Sequence, residues 1–162
     1  MPICVCGLQN VTNHIQNADV VVSILDPKKQ IPFSHPKHLV VSFEDIENPT
    51  DDEWMLMNAG VRRVLSFIDA TSATLDSNIV VHCHAGVSRS SAMAWLILIK
   101  LGMDYKDAFT LLIKQNPQIW PNTVVLSIGA GILKLPKEFN AFVSQVNAEI
   151  SLNQTEFLGY GG

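Results

Sequence analysis

The segment His82-Cys83-His84-Ala85-Gly86-Val87-Ser88-Arg89-Ser90 places a thiol, a guanidinium and a hydroxyl at fixed spacing around a glycine. A loop that leaves a strand and enters a helix turns its backbone N–H groups, together with the helix N-terminus, toward one point that favours an anion. Gly86 allows the tight turn, and small Ala85 keeps the approach clear. Arg89 can close the loop and offer a planar fork to two oxygens of a tetrahedral dianion. A thiol in that field is expected to ionise below its free value of about 8.5, because each neighbouring dipole favours the thiolate. Cys83 is then a nucleophile already beside its target. Ser90 can turn its hydroxyl back to Cys83 and stabilise the sulfur as a leaving group. His82 is expected to hold the loop by hydrogen bonds and take no part in chemistry. A lone cysteine is more often a small buried hydrophobe, but this one stands inside a patterned anion loop. Reading His82-Cys83-His84 as a zinc site would leave the arginine and glycine without a purpose.

The elements around the loop must supply that geometry. Asn78 to Val81, with two adjacent valines, reads as a short strand running into the loop, and Ser90 to Leu101 is apolar almost all round, a central buried helix ended by Gly102. Earlier strands are expected at Ile3 to Gly7, Ala18 to Leu25 and Leu39 to Phe43, with a short helix in Asn10 to Asn17. Pro27, Pro32 and Pro36 exclude regular structure across Asp26 to His38. Thr50-Asp51-Asp52-Glu53 is a capping box, followed by Trp54, Met57, Val61, Val64, Leu65 and Ile68 on one helical face to about Ala73. Asp104 caps a helix through Ile113, and two more helical stretches follow, Asn122 to Leu133 and Pro136 to about Ile150. The pattern predicts an α/β domain: a small central sheet of about four to five mainly parallel strands with helices on both faces. Residues 1–150 form a single domain in this reading, and 151–162 a flexible C-terminal tail.

The loop resembles the His-Cys-x5-Arg-Ser/Thr signature of the protein tyrosine phosphatase superfamily. A cysteine placed mid-chain with several helices after it is similar to the small dual-specificity members, and the likeness in layout spans roughly residues 1 to 150. Low-molecular-weight tyrosine phosphatases carry this loop near the N-terminus and fit poorly. The resemblance implies hydrolysis of a phosphomonoester through a phosphocysteine intermediate, without metal or cofactor. His84, Ala85, Gly86, Val87, Ser88 and Arg89 would bind the phosphate.

Such a reaction needs a carboxylic acid over the loop to protonate the leaving group. Glu44, Asp45, Glu47, Asp51 and Asp52 lie upstream. Asp51 and Asp52 fall in the first turn after Thr50, where acids are ordinary partners of the helix dipole. Asp45 lies just past a strand end in a loop closed by Pro49, and Phe43-Glu44-Asp45-x3-Pro49 also looks like the family's acid loop. Asp45 is therefore assigned as general acid and then general base, with Asp51 or Asp52 as the fallback. Pro121-Asn122 looks like the Pro-Asn that opens a late helix in dual-specificity phosphatases, where the Asn braces the catalytic loop. The family pattern continues with Phe and a Gln-Leu pair, whereas this chain has Val125, Ile128 and Gly129. A helix N-cap is the plain alternative for Asn122.

The loop lacks the lysines with which phosphoinositide phosphatases of the superfamily meet extra phosphates. Tyr105 and Tyr160 do not form the tyrosine wall of phosphotyrosine-specific enzymes. The pocket is read as shallow, taking phosphotyrosine and also phosphoserine or phosphothreonine in proteins or peptides. Phe33 or Trp120 could supply an aromatic wall, with a core or surface plug as the plainer reading of both, and His84 could line the rim or be an ordinary exposed histidine. The same chemistry on a phosphoinositide or an RNA 5′ phosphate, or phosphate binding without turnover, stays open as an alternative, as does a sulfurtransferase or arsenate reductase. Lys28, Lys29 and Lys37 are read as a solvated loop.

Composition narrows the class further. The chain has 162 residues, 48% hydrophobic and 16% charged, which excludes a disordered chain. A net charge of −4 argues against a broad nucleic-acid or anionic-membrane surface. No apolar run approaches a membrane span, and the opening Met1-Pro2-Ile3 has no signal-peptide pattern. A monomer in the cytoplasm with three free thiols is expected. Cys4-Val5-Cys6 lacks CxxC spacing, so its cysteines are read as strand residues facing opposite sides, with no metal role.

Overall fold

The computed structural model describes residues 3–161, with side chains through Asn153. Four strands, β1 (Ile3–Gly7), β2 (Val20–Leu25), β3 (His38–Ser42) and β4 (Ile79–Cys83), form one sheet in the order β1-β4-β2-β3. Every pairing is parallel. Five α-helices flank it: α1 (Asp51–Thr71), α2 (Arg89–Lys100), α3 (Tyr105–Gln115), α4 (Thr123–Leu133) and α5 (Lys137–Gly161). No described helix is long and apolar enough to cross a membrane.

The local signals act as their chemistry requires. Thr50 and Glu53 close the capping box reciprocally, at 3.2 and 2.9 Å. Asp104 caps α3 through Lys106 and Asp107, and Asn122 caps α4 by accepting from the Val125 N–H at 2.9 Å. Between β1 and β2 the expected short helix is a single 3-10 turn at Val11–Asn13. The α5 backbone continues to Gly161, past Ile150; the side chains beyond Asn153 and Gly162 itself, most of the expected tail, lie outside the described residues. Trp54 is a correction: it is 44% exposed, while Met57, Val61, Val64, Leu65 and Ile68 are buried. It lies in the first turn, ahead of the stretch that packs on the sheet.

Side-chain alternation divides the core between the two sheet faces. Val20, Val22, Ile24, Ile79 and Val81 join the large cluster to which all five α-helices contribute. Val21, Val80, Cys6 and Val11 form a smaller cluster, flanked by Cys4, Leu8, Ile15 and Phe33. In α2 every residue from Arg89 to Leu98 is buried. Trp95 anchors it among Phe109, Phe139 and Phe142, its ring N–H donating to the Tyr105 carbonyl at 2.9 Å. Losing such a buried ring costs about 3–5 kcal/mol. The loop is thus mounted between a buried strand and a buried helix.

Candidate active site

In parallel α/β sheets ligands gather at the carboxyl ends of the strands. Cys83 ends β4, Asp26 follows β2, and Phe43 and Asp45 follow β3. Cys83 is 2% exposed, and its Sγ lies 3.1 Å from Ser90 Oγ and accepts the Gly86 N–H at 3.3 Å. Ser90 comes from the first turn of α2, the position the spacing predicted for it.

Gly86 is required on two grounds. Its φ is +75°, and a Cβ there would meet the Cys6 carbonyl carbon and the Gly7 nitrogen at 2.5 Å. The loop is therefore pressed against the end of β1, where Leu8 N–H also donates to the His84 carbonyl at 3.0 Å.

Arg89, 5% exposed, donates through Nη1 to Asp26 Oδ1 at 2.8 Å and to the Phe43 carbonyl at 2.7 Å. Among the described residues both bonds fall on Nη1, which leaves the Nε–Nη2 edge as the fork for two phosphate oxygens. Asp26 was not among the residues expected here. Its signal was its place, a carboxylate at the carboxyl end of the strand beside β4, but the proline-rich stretch it opens reads only as loop. His84 Nε2 accepts the Asp26 backbone N–H at 3.1 Å and lies 3.6 Å from Asp26 Oδ2.

Asp45 stands over the loop. Its Oδ1 accepts from Ser88 Oγ at 2.7 Å and from Asn122 Nδ2 at 2.8 Å, and no hydrogen bond from the described residues falls on Oδ2. Asp51 and Asp52 stay in the first turn of α1, away from this arrangement. Asn122 combines both readings made of it: it caps α4, and it ties Asp45, the Ile46 carbonyl and, through its backbone N–H, the Ser88 carbonyl together. Trp120 N–H donates to the Val87 carbonyl at 3.0 Å. A cavity of about 470 Å³ beside the loop is lined by Asp45, Glu47, Ser88, Trp120 and Asn147. Trp120 is the aromatic side chain that lines this cavity. Phe33 is not: it stacks on His38 and approaches His82, beneath the smaller face. Tyr105 is packed against Phe139 and Phe142, and Lys28, Lys29 and Lys37 are exposed.

His82 is fully buried, with Nδ1 at the Cys83 carbonyl at the start of the loop and Nε2 toward Ser23 on β2. Its Nε2 bonds Ser23 Oγ at 2.6 Å, and Ser23 Oγ bonds His38 Nε2 at 2.7 Å. Burial drives its pKa down to about 4, against the opposing bond of Nδ1 to the Cys83 carbonyl, so the ring is neutral near pH 7.

Cys4 and Cys6 overturn the sequence expectation that they face opposite sides. Residues two apart on a strand share a face, and the two sulfurs lie within 4.8 Å of each other. The neighbouring Cys6 thiol draws the Cys4 thiol down to about 6, and Cys6 is itself pushed up by Cys4 and by burial.

Comparison with known proteins agrees with this geometry. The family model described as dual specificity phosphatase, catalytic domain, matches residues 8–127. Over 88 residues, 53% of this chain, the sequence is 34% identical to MAP kinase phosphatase with leucine-rich repeats protein 2 of Dictyostelium discoideum, of which it covers 11%. Protein 1 of the same description and organism is 28% identical over 87 residues, covering 53% of this chain and 10% of that protein. The chain thus spans about a tenth of the length of the curated relatives it matches. The Cydia pomonella PTP-2 phosphatase structure superposes with a TM-score of 0.61 at 19% identity, covering 81% of this chain and 85% of that one. Human DUSP28 gives 0.61 at 16% identity, with 80% and 86% covered. At these identities the structures show the fold.

Proposed function

The chain belongs to the dual specificity phosphatase catalytic-domain family, and from that premise we propose that it hydrolyses phosphotyrosine, and phosphoserine or phosphothreonine, in proteins, with Cys83 as nucleophile and Asp45 as acid and base. Cys83 Sγ attacks phosphorus, and the P–O bond to the leaving group breaks as Asp45 Oδ2 delivers its proton. The loop N–H groups and Arg89 hold the equatorial oxygens, where the transition state spreads its charge. Asp45 then takes a proton from water as that water attacks the phosphocysteine. Ser90 donates to the departing thiolate, and His82 and Asn122 hold the loop and the acid in position.

The observation that carries this reading is the convergence on one loop of Cys83, Ser90, the anchored Arg89 and Asp45. A non-catalytic phosphate-binding module would need none of the bonds from Ser88 and Asn122 that place Asp45. Reduced protein should hydrolyse p-nitrophenyl phosphate with inhibition by vanadate, and Cys83→Ser should not; a wild type without turnover removes the enzymatic reading. The protein substrate rests on the cavity walled by Trp120 and on a loop without lysine. A panel of phosphopeptides, inositol phosphates and 5′-phosphorylated RNA tests it, and preference for either of the latter two overturns it.

A further inference from the structure

We propose that Cys4, Cys6 and His14 form a site for one thiophilic divalent cation of the zinc type, held by two thiolate sulfurs and an imidazole nitrogen at the edge of the sheet. The three ligand atoms all lie within 4.8 Å of one another. Tetrahedral zinc, with bonds of about 2.3 Å to sulfur and 2.0–2.1 Å to nitrogen, spaces its ligands by about 3.5–4 Å, so small side-chain rotations close the site. Two sulfurs and an imidazole select zinc-class ions over magnesium or calcium. Two thiolates and a neutral imidazole also balance a divalent charge, with the thiol protons released to solvent.

The strand favours a shared cation over a disulfide. Residues two apart along a strand are separated by about 6.6 Å, and their parallel Cβ atoms by about as much. A disulfide requires about 3.5–4.5 Å between Cβ atoms, whereas two metal–sulfur bonds span the wider gap. The ligands are mounted on fixed backbone. Gln115 pins β1 by accepting the Val5 N–H at 2.9 Å and donating to the Ile3 carbonyl at 2.8 Å, and His14 N–H closes the 3-10 turn on the Val11 carbonyl at 3.0 Å. Cys4 and His14 line a cavity of about 230 Å³ with Asn13, Asn17 and Asn78, which leaves room for a water or an amide oxygen as fourth ligand. The cation would clamp the turn onto β1 one residue before Gly7, which pairs with Cys83.

The test is cobalt(II) titration of the full, reduced chain in a Cys83→Ser background, so that the catalytic thiol contributes nothing. One cobalt per chain should bind, with near-ultraviolet thiolate-to-cobalt absorption that zinc abolishes by displacement. His14→Ala, at an exposed position, should weaken binding at least as much as the ~10–100-fold that loss of an outer-shell partner causes, and Cys4→Ser with Cys6→Ser should remove the band. Should the cysteine variants fail to fold by circular dichroism, His14→Ala decides. Zinc should also raise the melting temperature of the Cys83→Ser protein and leave His14→Ala unmoved. A folded protein that gives no thiolate band, or a titration unchanged by His14→Ala, overturns the site. These readouts are independent of turnover, so they stand or fall apart from the phosphatase reading.

Discussion

The same sheet carries two thiol regions, and they differ in everything around the sulfur. Cys83 is enclosed, with a hydroxyl and a backbone N–H on its sulfur and an anchored guanidinium six residues on at the start of α2. Cys4 and Cys6 lie on an edge strand, their sulfurs within 4.8 Å of each other and of an exposed imidazole, beside an open cavity. Donors converging on one sulfur make a nucleophile beside a bound anion. Two sulfurs and a nitrogen facing a common point make ligands. What separates the roles is whether the neighbours offer N–H groups to an anion or lone pairs to a cation.

The largest expected effect breaks the comparison at its active end. Cys83→Ser should lower turnover by at least about 10³-fold while leaving cobalt absorption intact, and Cys4→Ser combined with Cys6→Ser should lose the absorption and keep most of its turnover. Loss of turnover in both to the same degree would mean that the two regions are one. Next, Asp45→Asn should reduce hydrolysis of a phenyl phosphate with a poor leaving group by about 10²–10⁴-fold and affect p-nitrophenyl phosphate far less. Equal losses would withdraw the proton from Asp45.

Smaller again is the effect of Asp26, which touches the substrate only through Arg89. Asp26→Ala should lower kcat/KM by about 10²-fold, the scale of an ångström of misplacement, and Asp26→Asn, which keeps an acceptor for Nη1, should restore most of it. A purely structural role would give equal losses in both variants together with equal losses in melting temperature.

These residues also mark how far the sequence could be read. Cys83, Gly86, Arg89 and Ser90 were legible because their spacing is short and local, and one strand–loop–helix turn decides it. That Asp45 lies against the loop could be read from its place past a strand end and from its likeness to the family's acid loop, while a capping box places Asp51 and Asp52 in a helix. Asp26 was not, because its meaning depends on β2 lying next to β4, a long-range pairing that local pattern does not contain. His14 was hidden for the same reason: only the fold brings the turn over β1. The pairing of Cys4 with Cys6 was legible in principle, as two residues apart means one face, and was misread. The helices were found to within a few residues except α5, whose end runs past the point where its periodicity weakens.

His82 lies between the two regions, next to Cys83 in sequence and in register with Cys6, and it carries the smallest and most diagnostic effect. Its ring is neutral and buried, with Ser23 on one nitrogen, His38 behind that serine, and His84 adding further repulsion to a proton. In the unfolded chain it titrates near 6.5, in the folded one near 4. As pH falls from 6.5 toward 4 the unfolded state takes up a proton that the folded state refuses, so stability falls through this window and the loss is complete below about 4. His38, also lowered by burial, acts in the same direction. Carboxylates contribute to acid unfolding as well, so the informative quantity is the difference between proteins. The melting temperature of His82→Gln, which retains a hydrogen-bonding group for Ser23, should depend less steeply on pH between 4 and 6.5 than that of the wild type. Parallel profiles would mean that His82 is hydrated or charged in the folded state, and the relay to Ser23 and His38 would then have to be redrawn.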